Sequence, residues 1–177
     1  MQTSESGMVF SDMTFKDFGK DNCFQIEESK LYKSLKHLGF KTVEFVAYRA
    51  GNHEGDCRLL FVEAKTTLRS EKDMPRFSDE IADISQKFID ALQIVCGAWH
   101  GGKKNTVKLP DNFTQFRENG KKIVFILVVK NSGKEELLTV ADAISRQLLK
   151  EIRLWKFEVK VFNEELAKKE NLILGDM

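Results

Sequence analysis

Two charges close one apolar run: Cys57 to Lys65 reads Cys-Arg-Leu-Leu-Phe-Val-Glu-Ala-Lys. Side chains alternate along a strand, so Leu59 and Phe61 share a face with Glu63 and Lys65, and Leu60, Val62 and Ala64 take the other. A strand apolar on both faces belongs in the middle of a covered sheet. A lone charge buried there costs on the order of several kcal/mol or is given up by neutralisation. Glu63 and Lys65 therefore either pair with each other or line an opening at the strand's end where something charged sits. Upstream, Lys41 to Arg49 is a second strand, rich in β-branched and aromatic residues. The polar link from Ala50 to Asp56, with its two glycines, is a hairpin turn. Folding back about position 53 or 54 sets Glu44 opposite residue 62, 63 or 64. In the middle register Glu44 faces Glu63 with Cβ atoms ~5 Å apart. A slip of one residue would turn Glu44 to the opposite face. Two carboxylates that close repel unless one is protonated or a cation lies between them. A divalent metal with oxygen ligands is the simplest resolution.

An acidic residue on one strand, then Glu-x-Lys at the end of the next, resembles the PD-(D/E)XK nuclease superfamily, the restriction-endonuclease-like fold. Glu63-Ala64-Lys65 matches its Glu-x-Lys element, including the apolar run before it. Glu44 takes the first acidic position, where Asp is more usual, and Val43 stands where a Pro usually precedes. The resemblance runs from about Phe24 to Val129. It implies a metal-dependent nuclease with Glu44, Glu63 and Lys65 as its catalytic residues. Glu44 and Glu63 would hold Mg²⁺ or Mn²⁺, joined by Glu27 or Glu28 from the helix before the hairpin. Lys65 would serve the attacking water or the charge developing on the phosphate. The implied partner is nucleic acid, DNA ahead of RNA, and small cores of this kind often act as a homodimer. The alternative is a catalytically inactive nuclease-fold module, an assembly subunit that uses its Glu-Lys pair structurally. The missing Pro-Asp and the near-neutral charge favour that alternative.

The elements that must position these residues follow from periodicity. Phe24 to Leu38 is expected as the first helix, with Leu31, Leu35 and Leu38 inward and Gly39 closing it. Glu27 and Glu28 flank that stripe on opposite sides, with Glu27 slightly preferred for the site. Thr66 to Arg76 is a polar connection that could wall a substrate groove. Ser78 reads as the N-cap of a helix to about Ala98, with Ile81, Ile84, Phe88, Leu92, Val95 and Trp99 as its core stripe. On it, Lys87 could reach a phosphate or be solvated. Gly101 to Gly120 reads as a long loop with Lys103, Lys104 and Lys108 among phenylalanines, able to grip a nucleic-acid backbone or simply be solvated. Ile123 to Val129 is a buried, parallel strand. Glu135 to Trp155 is a helix, Phe157 to Phe162 the last strand, and Glu164 to Glu170 a short terminal helix. Met8 to Gly19 has phenylalanines without a period and reads as a loop or short strand over the core. The order describes a single-domain α/β/α sandwich with a mixed sheet from residue 8, after a disordered segment at 1–7.

Composition bounds the rest. The 177 residues are 42% hydrophobic and 31% charged, as in a soluble globular protein. A net charge of +1 leaves nucleic-acid binding to a local patch or an oligomer. Cys23, Cys57 and Cys96 are odd in number and scattered, which suits reduced thiols and a cytoplasmic setting. With His37, His53 and His100 they make no zinc-ligand spacing. No apolar run is long enough for a membrane span. Walker, Gly-x-Ser-x-Gly and Gly-x-Gly-x-x-Gly motifs are missing too.

Overall fold

The β-branched and aromatic runs form strands, and the positions that alternate along them divide the protein into two apolar cores, one on each face of a sheet. The computed structural model describes residues 7–51, 56–101, 108–119 and 122–174, without the side chains of residues 115 and 117–119. The expected disordered segment therefore lies, apart from Gly7, outside the described residues. So does the tip of the hairpin turn at 52–55.

Five strands form a mixed sheet in the order β3 (Cys23–Phe24), β4 (Phe45–Ala50), β5 (Cys57–Lys65), β6 (Lys122–Val129), β7 (Glu158–Asn163). The first three are antiparallel, and β5, β6 and β7 run parallel. The central run at 57–65 and the parallel strand after it are as expected. The strand before the hairpin is shorter than expected, beginning only at Phe45. Met8 to Gly19 resolves into a separate antiparallel pair, β1 (Met8–Phe10) and β2 (Met13–Phe15).

The α/β class holds, but the layers are unequal. Helices α2 (Met74–His100) and α4 (Lys134–Gln147) are the crossovers of the parallel strands and pack on the face of Leu59, Phe61, Phe125 and Leu127. Right-handed crossovers between successive parallel strands put both helices on that one face. Helices α1 (Lys30–Leu35), α3 (Asp111–Asn119) and α5 (Leu149–Trp155) lie there as well, bringing Tyr32, Phe113 and Ile152. The face of Leu60, Val62, Ala64, Val124 and Ile126 is covered instead by the β1–β2 pair and by α6 (Glu164–Lys169) with the residues after it.

Several helix boundaries differ from expectation for local reasons. The stretch 24–38 is not one helix: a 3₁₀ turn at Ile26–Glu28 stops at Ser29, whose extended backbone and hydroxyl cap α1 by accepting from the Tyr32 amide. Leu38 is 63% exposed, so it is no core residue, while Tyr32 is buried. Gly39 closes this segment at φ 85°, the left-handed conformation expected of it. Helix α2 starts at Met74, four residues before Ser78, because Pro75 fits its first turn. The expected 101–120 loop contains α3, with Phe113 fully buried. The expected helix over 135–155 breaks at Leu148, which leaves Trp155 49% exposed and outside the core. Among the described residues no helix is long and apolar enough to cross a membrane.

Candidate functional site

The hairpin register decides where Glu44 goes. The β4–β5 ladder ends at Phe45 opposite Val62. Continued by one residue, that register sets Glu44 level with Glu63, the middle of the three, and the charge of Glu44 acts on Glu63. Glu44 then shares the helix-covered face with Val46, Phe61, Glu63 and Lys65. The approach to Glu44 is pinned to α2 at Lys41, whose amide donates to Asp90 Oδ2 at 2.9 Å and whose ammonium pairs with Asp83.

Glu63 and Lys65 do not pair with each other. The partner of Glu63 is Lys87, whose Nζ lies 2.6 Å from Oε1. Lys87 is therefore neither solvated nor a free phosphate contact, and its ammonium sits among carboxylates. The reason lies in the packing of α2: Phe88 stacks on Phe125 with centroids 4.7 Å apart and planes 4° off parallel. Phe125 is beside Phe61 on the sheet, two residues from Glu63. Seating Phe88 there turns the neighbouring Lys87 towards Glu63. Lys65 instead reaches Glu80 Oε1 at 3.9 Å, and Glu80 Oε2 accepts from the Arg69 amide at 2.8 Å. Glu80 thus ties the end of β5 to the connection that follows it. That connection lines, with Phe77 and Val140, a cavity of about 310 Å³ opening towards α4.

Glu63 is 1% exposed, and its Oε2 is buried without a hydrogen-bond partner among the described residues. Burial pushes its carboxyl up to about 7, with the charge and hydrogen bond of Lys87 pulling the other way and Glu44 adding to the rise. Glu44, half-buried, is also raised, by burial first; Lys87 opposes this, and Glu27 reinforces it. Burial opposes the charge of Lys87, but Glu63, with Glu44 and Asp83, outweighs it and holds the ammonium above its ordinary value. Glu27 and Glu28 are both exposed on the 3₁₀ turn, not on a long helix. Only Glu27 adds its field at Glu44; Glu28 lines a different concavity with Met8, Lys20 and Gln25. The hydroxyl of Tyr32 is pushed up by burial and then by Glu27, and feels the charge of Lys87.

Glu44, Glu63, Lys65 and Glu27 are thus brought to one region, and Glu28 is not. Lys103 and Lys104 lie outside the described residues, and Lys108 is exposed and pairs with Asp111. Among the described residues no group of three or more His, Cys, Asp or Glu side chains is placed to hold a metal ion. What the region does contain is two carboxylates, Glu44 and Glu63, whose charges act on one another, with Glu63 Oε2 unsatisfied among the described residues. Sequence reasoning missed Glu80, Asp83 and Asp90 and the engagement of Lys87. Their signal is a second stripe at 80, 83, 87 and 90, each one position before a core residue at 81, 84, 88 and 91. Comparisons with protein-family models, with curated proteins and with solved structures find no match for the chain.

Proposed function

We propose that this protein is a metal-dependent nuclease of the PD-(D/E)XK kind, hydrolysing phosphodiester bonds in nucleic acid, with DNA ahead of RNA. One observation carries the reading: the hairpin ladder, closing at Phe45 opposite Val62, brings the charge of Glu44 to bear on Glu63 at the end of a buried strand, and Glu63 Oε2 has no donor among the described residues. The order of α1, the β4–β5 hairpin, α2 and parallel β6 supports a restriction-endonuclease-like core. A third antiparallel strand, β3, comes from before α1.

Mg²⁺ takes one or two carboxylates and keeps water and phosphate oxygens for its remaining positions, so the pair fits it without a third protein ligand. The all-oxygen donor set likewise favours Mg²⁺ or Mn²⁺ over zinc. When bound, such an ion supplies Lewis acidity at the phosphoryl oxygen and a more acidic water. Glu44 and Glu63 hold the site's negative charge, and Glu27 extends it from the rim. Lys65, 28% exposed and only loosely held by Glu80, is free to orient water or meet charge on the phosphate.

A second reading has its own observation. Lys87 already gives Glu63 a counter-ion at 2.6 Å, as a catalytically inactive module would. Titration with Mn²⁺ and cleavage of single-stranded, double-stranded and branched DNA separate the two. Under the nuclease reading, Mg²⁺ supports cleavage, and Ca²⁺ supports binding without efficient turnover. Lys65→Ala abolishes cleavage but keeps Mn²⁺ binding, and Lys65→Arg does not rescue. Absence of both cleavage and Mn²⁺ binding in the wild type would establish the inactive module.

A further inference from the structure

Helix α2 turns two stripes towards the sheet. The apolar one packs; the charged one is Glu80, Asp83, Lys87 and Asp90, at intervals of three, four and three, which places them along one side of the helix. Every member is engaged: Glu80 with Lys65, Asp83 with Lys41, Lys87 with Glu63, and Asp90 with the Lys41 amide and Gln86. Lys87 is the cation of the row: it pairs with Glu63, and its charge also acts on Glu44.

Its contact is also incomplete. The ammonium satisfies Oε1 of Glu63 and leaves Oε2 buried and without a partner among the described residues. A point charge on one oxygen of a sealed carboxylate is a partial substitute for an ion that could bind both. The mobility of the two partners differs as well: the Glu63 side chain is 1% exposed on a central strand, whereas that of Lys87 is 24% exposed on a flexible stem. Asp83, one turn back on α2 and paired with Lys41, also contributes to the field at Lys87.

We propose that Lys87 is a resident counter-ion, keeping the place of the divalent cation on Glu63 and, once displaced, swinging out to contact a substrate phosphate. This rests on the reading of Glu44 and Glu63 as a cation site. Lys87 then competes with the metal for the same oxygen, so its two roles have opposite mutational signs. Removing its charge strengthens metal binding and weakens nucleic-acid binding.

The test is calorimetric titration of Mn²⁺ into wild type, Lys87→Met and Lys87→Arg, with Lys41→Met as a control for the loss of a neighbouring cation. Lys87→Met is expected to tighten Mn²⁺ by about 10-fold or more, within the usual range of coupling between sites. Lys87→Arg keeps the charge and the fold, and its fork can cover both Glu63 oxygens, so it is expected to weaken Mn²⁺. Lys41→Met should change it far less. In Ca²⁺, Lys87→Met should bind a short DNA duplex, or a single strand, more weakly than wild type. Mn²⁺ binding that is present but indifferent to both Lys87 variants overturns the counter-ion, while leaving the cation site standing. Unchanged DNA affinity overturns the phosphate contact. No Mn²⁺ binding by wild type or Lys87→Met overturns the cation site itself, and this inference with it.

Discussion

Glu63 is held where neither protonation state is fully satisfied. Ionised, it has Lys87 on one oxygen and no partner on the other among the described residues; neutral, it leaves Lys87 short of a partner. Burial decides the balance, raising the carboxyl from 4.5 to about 7. A folded value above the unfolded one means that the native state binds the proton more tightly. The stability Glu63 contributes is then complete below about 4.5 and is lost as pH rises through about 7. Urea denaturation of the metal-free protein at pH 5 and pH 8 should show wild type losing, relative to Glu63→Gln, on the order of 2–3 kcal/mol. Groups away from Glu44, Glu63 and Lys87 titrate alike in both proteins, so the difference isolates this coupled cluster. Parallel stability curves would mean that another group carries the proton.

Among the elements, α6 is short enough for its ends to govern it. Asn163 ends β7 and caps α6 at once, its side-chain oxygen accepting from the Leu166 amide at 2.9 Å. The helix then pairs Glu164 with Lys168 and Glu165 with Lys169, each acid N-terminal to its base as the dipole prefers. Those pairs lie at or near the surface, where screening leaves little net stabilisation. The cap satisfies a backbone donor that the helix itself cannot. Asn163→Ala should therefore cost about 1 kcal/mol in chemical denaturation, with Asn163→Asp nearly neutral. Glu165→Gln should leave the midpoint unchanged. A larger effect from Glu165 than from Asn163 would reverse that order.

Across the whole molecule, the two faces of the sheet are closed by different means. Helices cover one; the two ends of the described chain meet over the other. Phe10 and Phe15 pack on Phe45, the Lys16 amide donates to the Leu172 carbonyl, and the Leu174 amide donates to that of Thr14. Leu172 is fully buried and Ile173 nearly so. Truncation after Asn163 would uncover Leu60, Val62, Val124 and Ile126 and lose those two side chains from the core. The expected cost is at least ~3 kcal/mol, at about 1.5–3 kcal/mol for each buried aliphatic side chain, with a gain in binding of an apolar dye. An unchanged urea midpoint without dye binding would show that the β1–β2 pair closes this face alone.

Local pattern alone determined the central strand, the parallel strand after it and the apolar stripe of α2; for the hairpin it left three registers open, and the structure takes the middle one. The two strands and the stripe each follow from the run or period of their own side chains, and none needs knowledge of distant partners. The fate of the charges was a tertiary matter. Lys87 meets Glu63 across 24 residues because Phe88 seats on Phe125 and so fixes the rotation of α2. The stripe of α2 turns Phe88 inward, but nothing within the helix specifies that it meets Phe125, and so which strand charge Lys87 reaches. The same holds for Lys65 turning to Glu80 in place of its strand neighbour. The break at Ser29 had a readable cap, but the leucines at 31, 35 and 38 hid it by imitating one long helix. That β1, β2 and α6 with the residues after it would close the second face was not legible, because three-residue strands and a six-residue helix carry too few periods to show a buried side before the sheet beneath them exists.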